Sequence, residues 1–187
     1  MLDNSWFDYS DIYDEAVDKY DNTVFCELGS FKGASAIYLA QRIKEKNKNI
    51  KVVCVDFWPS PKEINNLCGI GAGQGEESKK IKEYGGSLMQ DFIDNVYKYN
   101  VENIIIPIRS STNNACGIFP KNYFDFIFVD ACHYYDQVKL DLQNWYPKLT
   151  VDGMIAGHDY ESGVKKAVDE FFNNKIIKRG TSWQFNK

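Results

Sequence analysis

The sequence predicts a doubly wound α/β domain with a mainly parallel sheet of seven strands that ends in an antiparallel C-terminal hairpin. Three observations favour this fold class. Short apolar segments, typical of strands covered on both faces, alternate with longer segments of helical period. At 187 residues, of which 44% are hydrophobic, the chain is long enough for one well-buried domain and too short for two. The last segment departs from the alternation at a Gly-Thr turn, which is typical of a hairpin.

The first part of the chain predicts a helical cap followed by a strand, a helix and a second strand. Residues 1–23 are rich in Asp and Tyr, and their apolar spacing indicates a helix at 10–19 that packs on the domain or covers its ligand mouth. Residues 24–28 form the first predicted strand. A helix with one apolar face follows at 33–46, and residues 51–56 are the second strand.

Residues 57–86 interrupt this alternation. They contain two prolines and a glycine-rich run without a clear period, which indicates either a lid or an insertion without a functional role. Their position, directly after the second strand on the ligand side, favours a loop that covers the substrate. No Lys-Ser or Lys-Thr follows the glycine run, so a phosphate-binding P-loop is excluded.

Regular structure is predicted to resume after residue 86 and to continue to the C-terminus. The predicted elements are a helix at 87–99, a strand at 103–108, a short helix or turn after residue 112, a strand at 124–130, a helix at 135–149, a strand at 153–156, a helix at 163–173, and hairpin strands at 175–179 and 182–185. We interpret residues 1–187 as a single domain.

Composition excludes several classes of protein. The 22 basic and 26 acidic residues are scattered and give a net charge of -4, which disfavours nucleic acid as the main substrate. No apolar run approaches the roughly 20 residues of a membrane span, so we expect a cytoplasmic protein without a membrane partner. The five cysteines form no C-x-x-C pair, and we interpret them as reduced thiols rather than zinc ligands. A homo-oligomer is compatible with the sequence.

The most informative motif is Glu27-x-Gly29-x-x-x-Gly33, where the first strand turns into a helix. Gly29 permits a turn and a close approach of a ligand to the backbone, and Gly33 permits close packing of the helix on the sheet. The spacing differs from the dinucleotide pattern G-x-G-x-x-G, so a ligand without a pyrophosphate, such as S-adenosylmethionine, fits better. A mere tight strand-to-helix turn is the alternative.

Polar residues follow the predicted parallel strands where each one ends. In a doubly wound sheet the ligand lies outside these carboxyl ends, so the side chains are predicted to converge on one site. The residues at these strand ends are Glu27 and Gly29 for the first strand, Asp56 for the second, Ser110 and Ser111 for the third, Asp130 for the fourth, and His158 and Asp159 for the fifth.

Each of these side chains has a functional and a structural interpretation. Asp56 can accept both ribose hydroxyls of a nucleoside, or it can cap a helix or turn. Ser110 and Ser111 can bond an adenine edge, or they can cap the segment that follows. Asp130 and Asp159 can hold one Mg²⁺ if their strands are adjacent, because like charges brought together need a cation or a proton. The alternative is a helix cap for one and a loop contact for the other.

The two histidines of the chain, His133 and His158, lie near the same rim. His133 can remove a proton from a substrate hydroxyl, because an imidazole titrates near neutral pH, or it can serve only in packing. For His158 we expect a role in orienting a loop or contacting the cofactor.

Taken in order, these motifs resemble a class I S-adenosylmethionine-dependent methyltransferase, and within it the small-molecule and sugar O-methyltransferases. The resemblance covers residues 24–186. The motifs that carry it include Glu27-x-Gly-x-x-x-Gly33, Val55-Asp56, Asp130-x-x-His133, Asp141-Leu-x-x-Trp145 and Gly157-His-Asp-Tyr160. It implies a Rossmann-like methyltransferase fold.

The resemblance also implies residue roles. The implied catalytic residues are His133, as base, and Asp130; the implied cofactor-binding residues are Glu27, Gly29, Ser30, Gly33, Asp56, Ser110, Ser111 and Asp130; and the implied metal ligands are Asp130 and Asp159. Related enzymes commonly place a second Asp or Asn after the strand-five acid, where this chain has Tyr160. Whether Mg²⁺ is required therefore stays open.

The sequence thus predicts methyl transfer from S-adenosylmethionine to a hydroxyl of a small acceptor such as a sugar. Two alternatives remain. A nicotinamide-dependent oxidoreductase is disfavoured by the glycine spacing. A non-catalytic partner subunit would keep the fold and the cofactor without turnover. The sequence does not identify the acceptor.

Overall fold

The sheet of this protein has the strand order β3-β2-β1-β4-β5-β7-β6. A computed structural model describes residues 7–60, 63, 83 and 85–187. The strands are β1 (Thr23–Leu28), β2 (Ile50–Asp56), β3 (Ile105–Arg109), β4 (Phe124–Val129), β5 (Leu149–Gly157), β6 (Ile177–Arg179) and β7 (Ser182–Asn186). The helices are α1 (Ser10–Lys19), α2 (Ala34–Glu45), α3 (Leu88–Lys98), α4 (Thr112–Ala115), α5 (Tyr135–Trp145) and α6 (Ser162–Phe172).

The predicted fold class is confirmed. Strands β1 to β5 pair in parallel, and β7 pairs antiparallel with both β5 and β6. The chain winds outward from β1 to β3 and then returns to place β4 on the other side of β1. The order therefore reverses between β1 and β4, and a ligand crevice is expected outside the carboxyl ends of these two strands.

Two apolar cores lie on the two faces of the sheet, because alternate side chains of a strand point in opposite directions. Phe25 of β1 and Phe126 of β4 pack with α1, α2 and α3, whereas Cys26 and Ile127 pack with α5 and α6. Glu27 is two positions from Phe25 and therefore points to the α1 side. This alternation brings a carboxylate beneath the N-terminal helix.

The N-terminal helix has the bounds predicted from its apolar spacing, residues 10–19. Its buried residues pack on the α2 face of the sheet. Arg179 of β6 also binds α1: its guanidinium donates to Asp11 at 2.6 Å and to Glu15 at 2.7 Å. The helix is thus held both by apolar burial and by the C-terminal hairpin.

The predicted boundary between the helix at 135–149 and the strand at 153–156 is wrong. Helix α5 ends at Trp145, a 3₁₀ turn occupies Tyr146–Lys148, and β5 begins at Leu149. Pro147 lacks a backbone N–H and cannot continue an α-helix, which explains the early end. The register against β4 then shifts between Phe124 and Phe126, as a bulge requires.

The predicted lid or insertion at 57–86 lies largely outside the described residues. At its start, Ser60 and Glu63 cap each other: the Ser60 N–H donates to Glu63 Oε2 at 2.7 Å, and the Glu63 N–H donates to Ser60 Oγ at 3.3 Å. Arg109 Nη2 donates to the same Glu63 oxygen at 2.8 Å. The end of β3 is therefore tied to the beginning of this segment.

Candidate active site

Gly29 makes the turn at the switch point, as the sequence predicted. Its φ is +88°, and a Cβ at this position would lie 2.1 Å from the Asp130 carbonyl oxygen. No side chain fits there, because the backbones after β1 and β4 touch. At Gly33, whose φ is +87°, a Cβ would lie 3.0 Å from the ring of Phe92, so this glycine makes room for α3.

Glu27 is buried beneath the turn, with 1% of its surface exposed. The Tyr13 hydroxyl donates to Oε1 at 2.6 Å, and the Ser30 hydroxyl donates to Oε2 at 2.5 Å. Burial raises the pKa of Glu27 to about 7, against the lowering effect of hydrogen bonds from Ser30, Ser35 and Tyr13. In this arrangement Glu27 orients the glycine turn.

Asp56 fastens the same turn from the end of β2. Its Oδ2 accepts from the N–H groups of Ser30 and Phe31, both at 2.9 Å, and Oδ1 accepts from the Trp58 N–H at 2.7 Å. Burial raises the pKa of Asp56, and these backbone hydrogen bonds oppose the rise. The observed contacts are those of a turn cap, and Oδ1 keeps a second lone pair for a ligand hydroxyl.

Trp58 is a site residue that the sequence did not reveal. Its indole N–H donates to the Phe31 carbonyl at 2.6 Å, and its ring lies 4.7 Å from that of Phe92. The side chain is buried, and the backbone has a φ of +41°. Phe31 also has a positive φ, +44°. A tryptophan two residues after a strand-end carboxylate was the available signal.

The two serines after β3 occupy the predicted rim. The Ser110 N–H donates to the Asp56 carbonyl at 3.0 Å, which brings β3 and β2 together at their ends. The Ser111 hydroxyl accepts from the Asn114 N–H at 3.2 Å and thus caps α4. Of its two interpretations, Ser111 shows the capping one.

Asp130, His133 and Asp159 converge after β4 and β5, as the sequence predicted. His133 Nε2 lies 3.5 Å from Asp130 Oδ1 and 3.2 Å from Asp159 Oδ2. The strands are neighbours, with Val129 opposite Gly157. Burial raises the pKa of Asp130, whereas a hydrogen bond from His158 holds the pKa of Asp159 below its usual range.

His158 lies behind these carboxylates. Its Nδ1 is 3.4 Å from Asp159 Oδ2, and its Nε2 is 3.0 Å from Asp8 Oδ1. Burial alone would lower the pKa of His158, but the hydrogen bond to Asp159 and the charges of Asp130, Asp159 and Asp8 raise it to about 9. A protonated His158 offsets the acidic charge of this cluster.

The donor atoms fit a divalent cation. One oxygen of Asp130, one of Asp159 and a ring nitrogen of His133 lie within 4.8 Å of one another. Carboxylate oxygens are ligands that Mg²⁺ accepts, and an imidazole suits transition metals better. Tyr160 adds no ligand here, because its hydroxyl donates to Asp169 of α6. Any further ligands would be water or loop oxygens.

A cleft of about 200 Å³ adjoins this cluster on the side of the C-terminal hairpin. Asp159, Tyr160, Glu161 and Thr181 line it. Two carboxylates, a hydroxyl and an aromatic ring are groups that can bind a polar, hydroxylated molecule. The acidic cluster therefore borders a space that a small polar molecule can enter.

Comparison with known proteins agrees with this geometry. Residues 26–160 match a family model described as a methyltransferase domain. The chain belongs to this methyltransferase family. The matched segment begins at β1 and ends just after Asp159, so it contains the glycine turn and the acidic cluster. The resemblance to class I S-adenosylmethionine-dependent methyltransferases is thereby confirmed.

Two relatives and two solved structures illustrate how far the similarity extends. Uncharacterized protein R132 of Acanthamoeba polyphaga mimivirus is 25% identical over 75% of this chain and 53% of its own length. Uncharacterized protein y4gI of Sinorhizobium fredii is 24% identical over 72% of this chain and 13% of its own length. The chain thus spans about half the length of the first relative and about an eighth of the length of the second.

Among solved structures, the O-methyltransferase NovP superposes with a TM-score of 0.72 at 15% identity, over 95% of this chain and 78% of its own. The SAH-bound Podospora anserina methyltransferase PaMTH1 superposes with a TM-score of 0.64 at 13% identity, over 94% and 75%. At these identities the likeness supports the fold.

Within the part of the chain that the structure describes, no helix of this methyltransferase is long and apolar enough to cross a membrane.

Proposed function

We propose that this protein transfers the methyl group of S-adenosylmethionine to a hydroxyl of a small acceptor such as a sugar. One observation carries the proposal: His133, Asp130 and Asp159 meet within hydrogen-bonding range beside the Gly29 turn, at the switch point of a methyltransferase-family fold. Family membership favours this reaction over the nicotinamide alternative. A cytoplasmic location and a small-molecule partner belong to the same proposal.

The cofactor would lie against the turn after β1. Gly29 lets the backbones after β1 and β4 meet at this turn, and hydrogen bonds to the Glu27 and Asp56 carboxylates hold the turn in shape. Asp56 Oδ1 would accept a ribose hydroxyl, and Ser110 would border the adenine. When bound, S-adenosylmethionine supplies an electrophilic methyl group on a sulfonium sulfur. What remains for the protein is alignment and proton removal.

His133 would act as the base. Its side chain is 49% exposed, so an acceptor hydroxyl can reach it. As the acceptor oxygen forms its bond to the methyl carbon and the carbon–sulfur bond breaks, the hydroxyl proton would move to the imidazole of His133. Asp130 and Asp159 would stabilise the resulting imidazolium, because both carboxylates lie within 3.5 Å of His133 Nε2.

Asp130 and Asp159 would also be the residues that hold Mg²⁺, which would lower the pKa of the acceptor hydroxyl when bound. The acceptor itself would enter through the cleft beside Tyr160 and Thr181. Carboxylate and hydroxyl groups in that cleft favour a polyhydroxylated acceptor over an apolar one.

Calorimetry and a transfer assay test this proposal together. The purified chain is titrated with S-adenosylhomocysteine and with NADH, and labelled S-adenosylmethionine is then incubated with a panel of sugars, catechols and other small alcohols, with and without Mg²⁺. We expect S-adenosylhomocysteine alone to bind and a hydroxylated acceptor to gain the label. Binding of NADH instead would favour the oxidoreductase, and cofactor binding without any transfer would favour the partner subunit.

A further inference from the structure

The two oxygens of Asp130 face different partners, and Tyr9, from the segment before α1, binds one of them. Its hydroxyl donates to Asp130 Oδ2 at 3.0 Å. The other oxygen, Oδ1, faces the acidic cluster, 3.5 Å from His133 Nε2 and 3.9 Å from His158 Nδ1. One carboxylate oxygen is thus bound to the N-terminal segment, and only the other is directed at the candidate metal position.

The Tyr9 ring is held firmly in this position. It is 5% exposed and stacks on Phe128 of β4, with ring centroids 4.4 Å apart and planes inclined by 27°. Phe7 and Tyr13 contact the ring on its edges at 4.9 and 5.4 Å. Burial also raises the pKa of the Tyr9 hydroxyl, so it remains protonated and donates.

The number of oxygens that a carboxylate offers affects which cation it binds. Ca²⁺ takes six to eight oxygens and often binds both oxygens of one carboxylate, whereas the smaller Mg²⁺ requires an octahedron and usually takes one oxygen per carboxylate. A hydroxyl that occupies one oxygen of Asp130 therefore acts against the two-oxygen mode. Tyr9 is placed to impose that restriction.

We infer that Tyr9 is a positioning residue that keeps Asp130 a one-oxygen ligand and so favours Mg²⁺ over Ca²⁺ at this site. The inference rests on the proposed metal role of Asp130 and Asp159. It adds that the cation preference is set by the N-terminal segment, which lies outside the matched residues 26–160.

The test uses Tyr9→Phe, which removes only the hydroxyl, and Tyr38→Phe as its matched control. The Tyr38 hydroxyl, in α2, also donates to a carboxylate, that of Asp14 in α1 at 3.1 Å, which is not part of the acidic cluster. Bound Mn²⁺ is measured by electron paramagnetic resonance in the S-adenosylhomocysteine complex of each protein, and Mg²⁺ or Ca²⁺ is titrated in as competitor. The ratio of the two competitor dissociation constants is the readout.

We expect the preference of the unaltered protein for Mg²⁺ to fall by about fivefold in Tyr9→Phe, the effect of about one hydrogen bond, and to stay unchanged in Tyr38→Phe. If Tyr9 has only a structural role, Tyr9→Phe weakens the binding of both cations alike and leaves the ratio of the dissociation constants unchanged. That result would overturn the inference. If Tyr9→Phe does not fold, a crystal of the unaltered protein soaked in Ca²⁺ takes its place: Ca²⁺ held by one oxygen of Asp130 supports the inference, and Ca²⁺ held by both oxygens overturns it.

The unaltered protein separates this inference from the function on which it rests. If it binds no Mn²⁺, the metal role fails, and the inference fails with it. If it binds Mn²⁺ and prefers Mg²⁺ while Tyr9→Phe keeps that preference, only the inference fails. Binding of S-adenosylhomocysteine in the same samples reports on the methyltransferase proposal independently of either result.

Discussion

Asp130 and Asp159 leave two neighbouring strands and meet at one imidazole nitrogen, His133 Nε2, which lies 3.5 Å from the first carboxylate and 3.2 Å from the second. Two carboxylates that both lie this close to one nitrogen atom repel each other unless a positive group lies between or beside them. His158, whose pKa is raised to about 9 by the neighbouring carboxylates, supplies that group in the protein alone. The two carboxylates are also the groups that the proposed Mg²⁺ would contact.

Replacing His133 tests its assignment as base. In His133→Gln we expect turnover to fall by about 100-fold or more, the usual contribution of a positioned base, while affinity for S-adenosylhomocysteine stays within about twofold. Rate assays and calorimetry on the same samples measure the two quantities. Full turnover in a variant that still binds the cofactor would reject the base role.

Gly29→Ala should disrupt the turn at the switch point. The new Cβ would collide with the Asp130 carbonyl in a conformation of positive φ, so we expect the free energy of unfolding to fall by about 2 kcal/mol or more, with loss of S-adenosylhomocysteine binding. Gly117→Ala is the control, because a Cβ there meets nothing within 4 Å. Denaturant unfolding compares them, and equal stability of the two variants would contradict the role of Gly29.

Trp58→Phe should weaken cofactor binding without unfolding the protein. It removes the indole N–H that holds the Phe31 carbonyl, and we expect S-adenosylhomocysteine affinity to fall by about fivefold. Trp183→Phe is a matched control, because the Trp183 indole N–H is buried with no hydrogen-bond partner among the described residues. If calorimetry gives both variants the affinity of the unaltered protein, Trp58 has no part in shaping the turn.

Glu27 should make stability depend on pH. Its pKa is about 7 in the folded protein against an ordinary value of 4.5, so the folded state holds the proton more tightly than the unfolded chain does. The stabilisation is complete below pH 4.5 and is lost as pH rises to 7. We expect the unaltered protein to lose about 3 kcal/mol relative to Glu27→Gln over this window, measured by urea unfolding at each pH. If the difference in free energy of unfolding between the two proteins does not change with pH, burial does not shift the pKa of the Glu27 carboxyl.

The parts of the site predicted from sequence are those that follow strand ends. Asp130 and Asp159 could be predicted to meet, because parallel strands end at one edge of a sheet. Knowing where each strand ends is therefore enough to place its carboxylate at that edge. The Tyr9 and Tyr13 contacts could not be predicted in this way. Tyr9 lies 121 positions from Asp130, and nothing local to either residue specifies that α1 packs on this face.

The roles of single carboxylates were also beyond the reach of local patterns. Asp56 was predicted to take the ribose or to cap a turn, and its three backbone hydrogen bonds depend on how the glycine turn and the chain after β2 fold against each other. The early end of α5 is different in kind, because Pro147 is a local signal for a helix end that the sequence itself contains.

By itself, the sequence determined the α/β class, the helical segment at 10–19 and the set of polar residues on the rim, because periodicity and strand ends are local properties of the chain. Tertiary structure alone decided which oxygen of Asp130 faces the cluster, which hydroxyl supports Glu27 and which indole closes the turn. These are contacts between distant segments, and their geometry is set by how helices and strands pack, to within a fraction of an ångström.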